Sequence, residues 1–467
     1  MENHPPRNTW PGSLRLPSPN PPKCRQITIF GGGTATNHLV DVFTNLAQAN
    51  NSVLNYIIPI SDNGGSSSEL IRVFGGPGRL VRLIPDNGDP HSEASSIKEL
   101  FNHRLPPDPK SARLEWLEIV ESLHPLWRQI STPKKELIRS FLNLVNQEIV
   151  KRMRPSSRFD FSSASIGNLF LTGARLFSGS LESAIYLLSS VCSVPETITV
   201  LPAINTNFSH HISVSLADGS HITGQNNISH PPAPSSLPDM APPSPTRIRR
   251  ETEESDNVED ANLPGSLPSL RKPAIKFSKL EEEDLPSRIE RLWYINPYGQ
   301  EMSCPANPRV LEALSKSSTV IYSIGSLFTS IIPSIILRGV GQAIASPSIR
   351  NKILILNSSI DRETGPASNP FTAIDFIAAI ADACTESRGL SKPKLEDYWV
   401  YVSHVIYIES KEAPKVDREI LSKAGIEGIR LYGQSGKYDD KALEQALKMV
   451  LGKGEQVGLS RRNTLQR

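Results

Sequence analysis

Cysteine, net charge and long apolar runs are all scarce in these 467 residues. The four cysteines, Cys24, Cys192, Cys304 and Cys384, stand 168, 112 and 80 positions apart, so there is no CxxC pair to open a zinc site or a disulfide framework. They read as reduced, packed thiols of an intracellular protein. Fifty basic side chains against 48 acidic ones leave a net charge of +2, too little to hold a polyanion, and no nucleic-acid partner is expected. The most apolar stretch, 319–344, is interrupted by Gly, Ser, Pro and Arg before it could span a bilayer. The first residues lack the apolar core of a secretory signal. The expectation is a cytoplasmic protein with no membrane partner.

Proline is abundant but unevenly placed. Eighteen of the 39 prolines fall in residues 1–22 and 231–287, and the rest of the chain has an ordinary share. The reading is an N-terminal arm over 1–24 and a disordered Pro/Ser/charge-rich insert over 231–287. These leave two parts of one α/β domain, 25–230 and 288–450, and a flexible tail over 451–467. Residues 91–155 carry apolar residues at three- and four-residue spacing and are predicted to form a helical insertion.

Within the two parts, strand-like runs alternate with helical ones. Gln26 to Phe30 is a β-rich run that ends in Gly31-Gly32-Gly33-Thr34 and is followed by an amphipathic helical pattern through Leu46. Val53 to Ile60 ends in Ser61-Asp62-Asn63-Gly64-Gly65-Ser66-Ser67-Ser68, again before a helical pattern. Thr319 to Ser323 leads into Gly325-Ser326-Leu327-Phe328-Thr329-Ser330, and Lys352 to Asn357 precedes a helix over 371–383. Asp218-Gly219 marks a hairpin between 211–216 and 221–223. The fold class expected is α/β, a mostly parallel sheet with helices on both faces. Such sheets bind ligands beyond the carboxyl ends of their strands, where all three Gly/Ser loops fall.

Each loop has a chemical reading beside a plain structural one. Gly31 to Thr34 puts no bulk between backbone and ligand at the start of a helix, which suits phosphate; it equally suits a tight turn. Asp62 could bind Mg2+ or a ribose hydroxyl, with Ser66 and Ser67 and their amides taking phosphate oxygens; a solvated turn would look the same. Ser326, Thr329 and Ser330 could donate to a phosphate. His210 and His211 are adjacent, so on a strand they face opposite ways and cannot share a site.

Four motifs together, Gly31-Gly32-Gly33-Thr34, Asp62-Asn63-Gly64-Gly65-Ser66-Ser67, Gly167-Asn168-Leu169 and Gly325-Ser326-Leu327-Phe328-Thr329-Ser330 with Pro333, resemble the 2-phospho-L-lactate transferase (CofD) family. That family also contains the YvcK-type gluconeogenesis factors. The resemblance implies a Rossmann-like fold with a nucleotide diphosphate at the carboxyl edge of the sheet. It also implies Mg2+ and transfer of a phospholactyl-type group from a guanosine diphosphate carrier to a hydroxyl acceptor, with release of GMP. The YvcK branch implies instead a UDP-sugar ligand and regulation of carbon metabolism. By motif, Gly31, Gly32, Gly33, Thr34 and Asn168 lie at the nucleotide, and Gly64, Gly65, Ser66, Ser67, Gly325, Ser326 and Thr329 lie at phosphate. Asp62 serves the metal or the acceptor, as the catalytic residue.

The sequence departs from the family pattern twice. Asn63 stands where a second acidic residue is usual, and Gly75-Gly76-Pro77-Gly78 runs straight into Arg79-Leu80-Val81-Arg82 without the usual Gly-Asp-Ile/Val-Arg piece. The further partners expected are a second copy of the chain and a basophilic protein kinase. The kinase would act at Arg249-Arg250-Glu251-Thr252 or Arg461-Arg462-Asn463-Thr464.

Overall fold

The computed structural model describes residues 25–60, 91–152, 159–206, 210–229, 267, 284–433 and 437–463. Seven strands form one sheet: β1 (Arg25–Phe30), β2 (Ser52–Ile58), β3 (Ile198–Pro202), β8 (Ser317–Tyr322), β9 (Asn351–Ile355), β10 (His404–Ile408) and β11 (Glu427–Leu431). All six pairings are parallel, in the order β11-β10-β9-β8-β1-β2-β3. The strands are nearly continuous apolar runs because both faces are covered. Side chains alternate along each one, so Ile27 and Ile29 enter one core and Phe30 the other. The first core is closed by the helices Val40–Ala49 and Asp440–Asn463, through Phe43, Leu46, Leu443, Leu447 and Val450. The second, larger core includes the helices Pro308–Lys316 and Ala373–Ser387. An α/β sheet with helices on both faces is therefore the fold.

The remaining strands leave that sheet. β4 (His211–Leu216), β5 (His221–Thr223), β6 (Ile289–Ile295) and β7 (Glu301–Met302) form a four-stranded antiparallel sheet in the order β5-β4-β6-β7. Strand runs were readable there, but their separation from the parallel sheet was not, because it depends on where β4 and β6 find partners. The Tyr294 hydroxyl donates to the Pro333 carbonyl at 2.9 Å and ties this sheet to the chain that follows β8. His211 is buried, and burial holds its imidazole down to about 4, so it is a neutral packing residue.

The helical insertion consists of Glu93–Asn102, Pro109–Val120 and Thr132–Arg152. Ser92 and Asp108 cap the first two by accepting backbone N–H groups of Ser95 and Ser111. The insertion joins the larger core through Phe170 on the helix Ile166–Ser178, whose ring lies 4.9 Å from Phe101 and 5.3 Å from Phe141.

Two composition limits shift. Inside 231–287, Leu285 is 1% exposed and the Leu267 N–H donates to the Pro297 carbonyl, so packing reaches into the stretch read as insert. At the other end, the helix Asp440–Asn463 runs past 450, and Leu451 still packs in the core on the sheet. No described helix is long and apolar enough to cross a membrane.

Phe170 carries the contact between insertion and core and is fully buried. Phe170→Ala is expected to cost about 3–5 kcal/mol, seen as a lower midpoint in urea unfolding. A loss well under 1 kcal/mol would mean that the insertion is not part of the same cooperative unit.

Candidate functional site

From β1 the chain builds outward through β2 to β3, then returns to the other flank of β1 with β8 and continues to β9, β10 and β11. The switch point therefore lies between β1 and β8. In open α/β sheets the loops that leave the strands at such a point are where ligands bind. Gly31 and Gly32 leave β1, and Ser323 to Ser326 leave β8.

Close approach dictates the small residues. A Cβ on Gly31 would lie 2.4 Å from Thr36 Oγ1 and 3.2 Å from Ser323 Cβ, so a larger residue would push the strand end and the helix Gly33–Asn37 apart. The Thr36 hydroxyl donates to the Ile324 carbonyl at 3.3 Å, fastening that helix to the β8 side. Gly325 has φ +139°, a conformation L side chains rarely adopt, and its open side faces the Gly32 carbonyl. Asn357, just past β9, clamps it: Nδ2 donates to the Gly325 carbonyl at 2.9 Å and Oδ1 accepts its N–H at 3.0 Å. The Ser323 hydroxyl is buried at this junction and has no partner among the described residues. Polar atoms so placed usually find a water or a ligand.

Behind the β8 loop lies a buried carboxylate. Glu363 is 1% exposed; its Oε2 accepts the N–H groups of Phe328 (2.9 Å) and Thr329 (3.0 Å), and its Oε1 accepts the Thr329 hydroxyl (2.5 Å). Burial pushes this acid up to about 8, with the charge of Asp361 adding to the rise and the three donors opposing it. Protonation at Oε1 would reverse the Thr329 contact and leave the two N–H bonds in place. Asp361 is itself fixed by a reciprocal cap with Thr364.

The structure brings Gly31, Gly32, Gly325 and Ser326 together at the switch point, and Gly33 and Thr34 begin the helix beside it. Ser326 starts the turn Leu327–Ile331 without a side-chain cap bond. Thr329 is there too, but its N–H and its hydroxyl both face Glu363. Asn168 sits on a different element, in the first turn of the buried helix Ile166–Ser178, its carbonyl accepting the Thr172 hydroxyl. Asp62, Gly64, Gly65, Ser66 and Ser67, and with them the expected Mg2+ ligand, lie outside the described residues, as do Arg79, Arg82, Thr252 and Thr464. Sequence reasoning missed Ser323, Asn357 and Glu363. Asn357 could have been suspected as the first polar residue after an apolar strand, whereas nothing in the polar run around Glu363 signals a buried acid. Two strands further along the same edge, a cleft of about 510 Å³ is lined by Glu409, Ser410, Lys415, Arg418 and Arg430. Its arginines are engaged with Glu409 (2.5 Å) and the Tyr407 hydroxyl (2.9 Å).

Comparison with known proteins gives consistent matches. A family model described as 2-phospho-L-lactate transferase CofD matches residues 27–431. An uncharacterized protein of Saccharomyces cerevisiae is 36% identical over 452 residues, covering 91% of this chain and 99% of its own. A putative gluconeogenesis factor of Nostoc is 24% identical, covering 85% of this chain and 62% of its own. A gluconeogenesis factor of Halalkalibacterium halodurans is 22% identical, with 78% and 74% covered. Among solved structures, a UPF0052-family protein of Bacillus halodurans superposes with a TM-score of 0.53 at 18% identity, covering 91% of this chain and 99% of that one. At that identity the likeness shows the fold.

Glu363 makes stability depend on pH. The folded chain keeps a proton that the unfolded chain releases above about 4.5, so this contribution is complete below that pH and is lost as pH rises through about 8. Glu363→Gln keeps the shape without the titration. Urea midpoints between about pH 5 and about pH 8 are expected to fall more steeply in the wild type than in the variant. Parallel slopes would show that the carboxyl titrates alike in both states.

Proposed function

Because the chain belongs to the 2-phospho-L-lactate transferase CofD family, we propose that it binds a nucleoside-diphosphate-linked ligand in the crevice between β1 and β8 and transfers a phospholactyl-type group to a hydroxyl acceptor. The observation that carries this reading is the meeting of the Gly31-Gly32 and Gly325-Ser326 turns at the switch point, with an unpartnered Ser323 hydroxyl beneath them. Backbone exposed by glycine can approach a diphosphate closely, and a turn held rigid by Asn357 and Glu363 loses little on binding it.

In the proposed step the acceptor oxygen attacks the β-phosphorus of a guanosine diphosphate carrier. The bond from that phosphorus to the bridging oxygen breaks, GMP leaves with the electron pair, and the acceptor loses its proton. Such chemistry asks for positioning and charge stabilisation more than for a side-chain nucleophile. Asp62 is proposed to hold Mg2+, which would neutralise the developing phosphate charge, or to receive the acceptor proton. Gly64, Gly65, Ser66 and Ser67 are proposed to add phosphate donors.

A second reading is a non-catalytic sensor of a UDP-sugar. Two bacterial relatives are named as gluconeogenesis factors, and Asn63 removes one of the acidic residues usual beside Asp62.

A thermal-shift panel of GDP, GTP, UDP-sugars and a phospholactyl guanosine diphosphate, with and without Mg2+, discriminates between the readings. A ligand at a hundredfold over its Kd should add about 2.7 kcal/mol of stability. The expected result is a shift with the guanosine diphosphate carrier that depends on Mg2+, GMP release when an acceptor is added, and loss of both the Mg2+ dependence and the turnover in Asp62→Asn. A UDP-sugar shift without turnover selects the sensor. No shift with any nucleotide removes both readings.

A further inference from the structure

The geometry points to a site for a divalent transition metal, Zn2+ foremost, built from His103, Glu115 and His124 in the helical insertion. Among the described residues these are the three histidine and carboxylate side chains whose ligand atoms come within 4.8 Å of one another. They arrive from three elements. His103 follows the helix Glu93–Asn102, Glu115 lies within Pro109–Val120, and His124 precedes the turn Pro125–Trp127. Nothing in the nucleotide reading uses them.

The frame holding the donors is stiff. The His103 N–H donates to the Glu99 carbonyl at 2.9 Å, and the His103 carbonyl accepts the Ile166 N–H at 3.1 Å. The His124 N–H donates to the Glu118 carbonyl, and the His124 carbonyl accepts the Trp127 N–H, both at 3.2 Å. Trp127 is itself buried, its indole N–H on the Ile119 carbonyl at 2.9 Å. The three side chains are 28%, 20% and 17% exposed, sheltered enough to lose competing water and open enough for an ion to enter.

The donor set suits a metal, and the spacing of His124 from Glu115 does so as it stands. Two imidazoles and one carboxylate leave a fourth, water-filled position on Zn2+, at metal–ligand distances of about 2.0–2.2 Å. A tetrahedron of that size sets its donors about 3.3–3.6 Å apart. Nε2 of His124 is already 3.6 Å from Glu115 Oε1, too far to bond it directly. Nε2 of His103 bonds the same oxygen closely and needs to draw back by about an ångström to admit the ion. Ligation through Nε2 moves each ring proton to Nδ1. In His124 this gives up the acceptance of the Leu126 N–H at 3.3 Å, a long bond and a small loss. One carboxylate against a dication leaves a single net positive charge at the ion. Because His103 is also bonded to Ile166, the metal would fasten the insertion to the helix Ile166–Ser178, which carries Asn168.

The test uses the full-length chain, stripped with EDTA and free of nucleotide. Co2+ titration is expected to give one visible ligand-field band per chain, displaced by Zn2+ but not by Mg2+. Zn2+ is expected to raise the thermal midpoint above that in EDTA. Glu115→Gln should weaken Co2+ at least tenfold, and His103→Gln with His124→Gln should abolish the band, each variant checked for fold by circular dichroism. If the double variant does not fold, Glu115→Gln and the wild-type midpoint still decide the matter. The proposal is overturned if the stripped wild type shows neither band nor Zn2+-dependent midpoint. It is overturned equally if the band survives in the variants, or if it carries the intense charge-transfer absorption of a cysteine thiolate, which this site does not contain.

Discussion

The Glu363 carboxyl accepts two backbone N–H groups and a hydroxyl in a place that water does not reach, and the turn after β8 takes its shape from those three bonds. Removing an acid from water is costly unless it is paired, bonded or protonated. Burial pushes the group up to about 8, with Asp361 adding to the rise, and the three donors hold it from going further. Buried N–H groups in the turn after β8 would otherwise be donors without acceptors. Glu363 supplies an acceptor from inside the fold, so the loop is already set before any ligand arrives.

The neighbouring contacts work to the same end from other sides. Asn357 fixes both polar groups of Gly325, and Thr36 ties the first helix to Ile324. The antiparallel sheet braces the far end of the same segment through Tyr294 and Pro333. Three loops from distant parts of the sequence thus meet as one rigid edge. Polar groups held at fixed places in this way need little reorganisation to meet a charge.

The insertion contributes differently. Its helices join the larger core through Phe101 and Phe141, which meet Phe170, yet its surface gathers two imidazoles and a carboxylate around one point. Core packing explains these aromatic residues, which meet from three separate helices. It does not call for His103, Glu115 and His124, which are partly exposed and of which the first two are joined by a hydrogen bond.

The α/β class, the glycine turns at strand ends, the helical insertion and the Asp218-Gly219 hairpin are legible in the sequence, because they rest on local periodicity and on residues that few conformations tolerate. It marked Gly31, Gly32, Gly325 and Ser326 correctly as strand-end residues, but it had no means of saying that they meet. Tertiary structure decided that by placing β8 beside β1, 287 positions after it when Phe30 is counted to Ser317, a pairing no window of sequence contains. It also decided that Thr329 turns toward Glu363, that Asn357 clamps a glycine 32 residues away, and that an acid from a polar run ends in the interior. Burial and partnership belong to the assembled chain. A carboxylate reads as solvated in sequence, and only the elements packed around it make it something else.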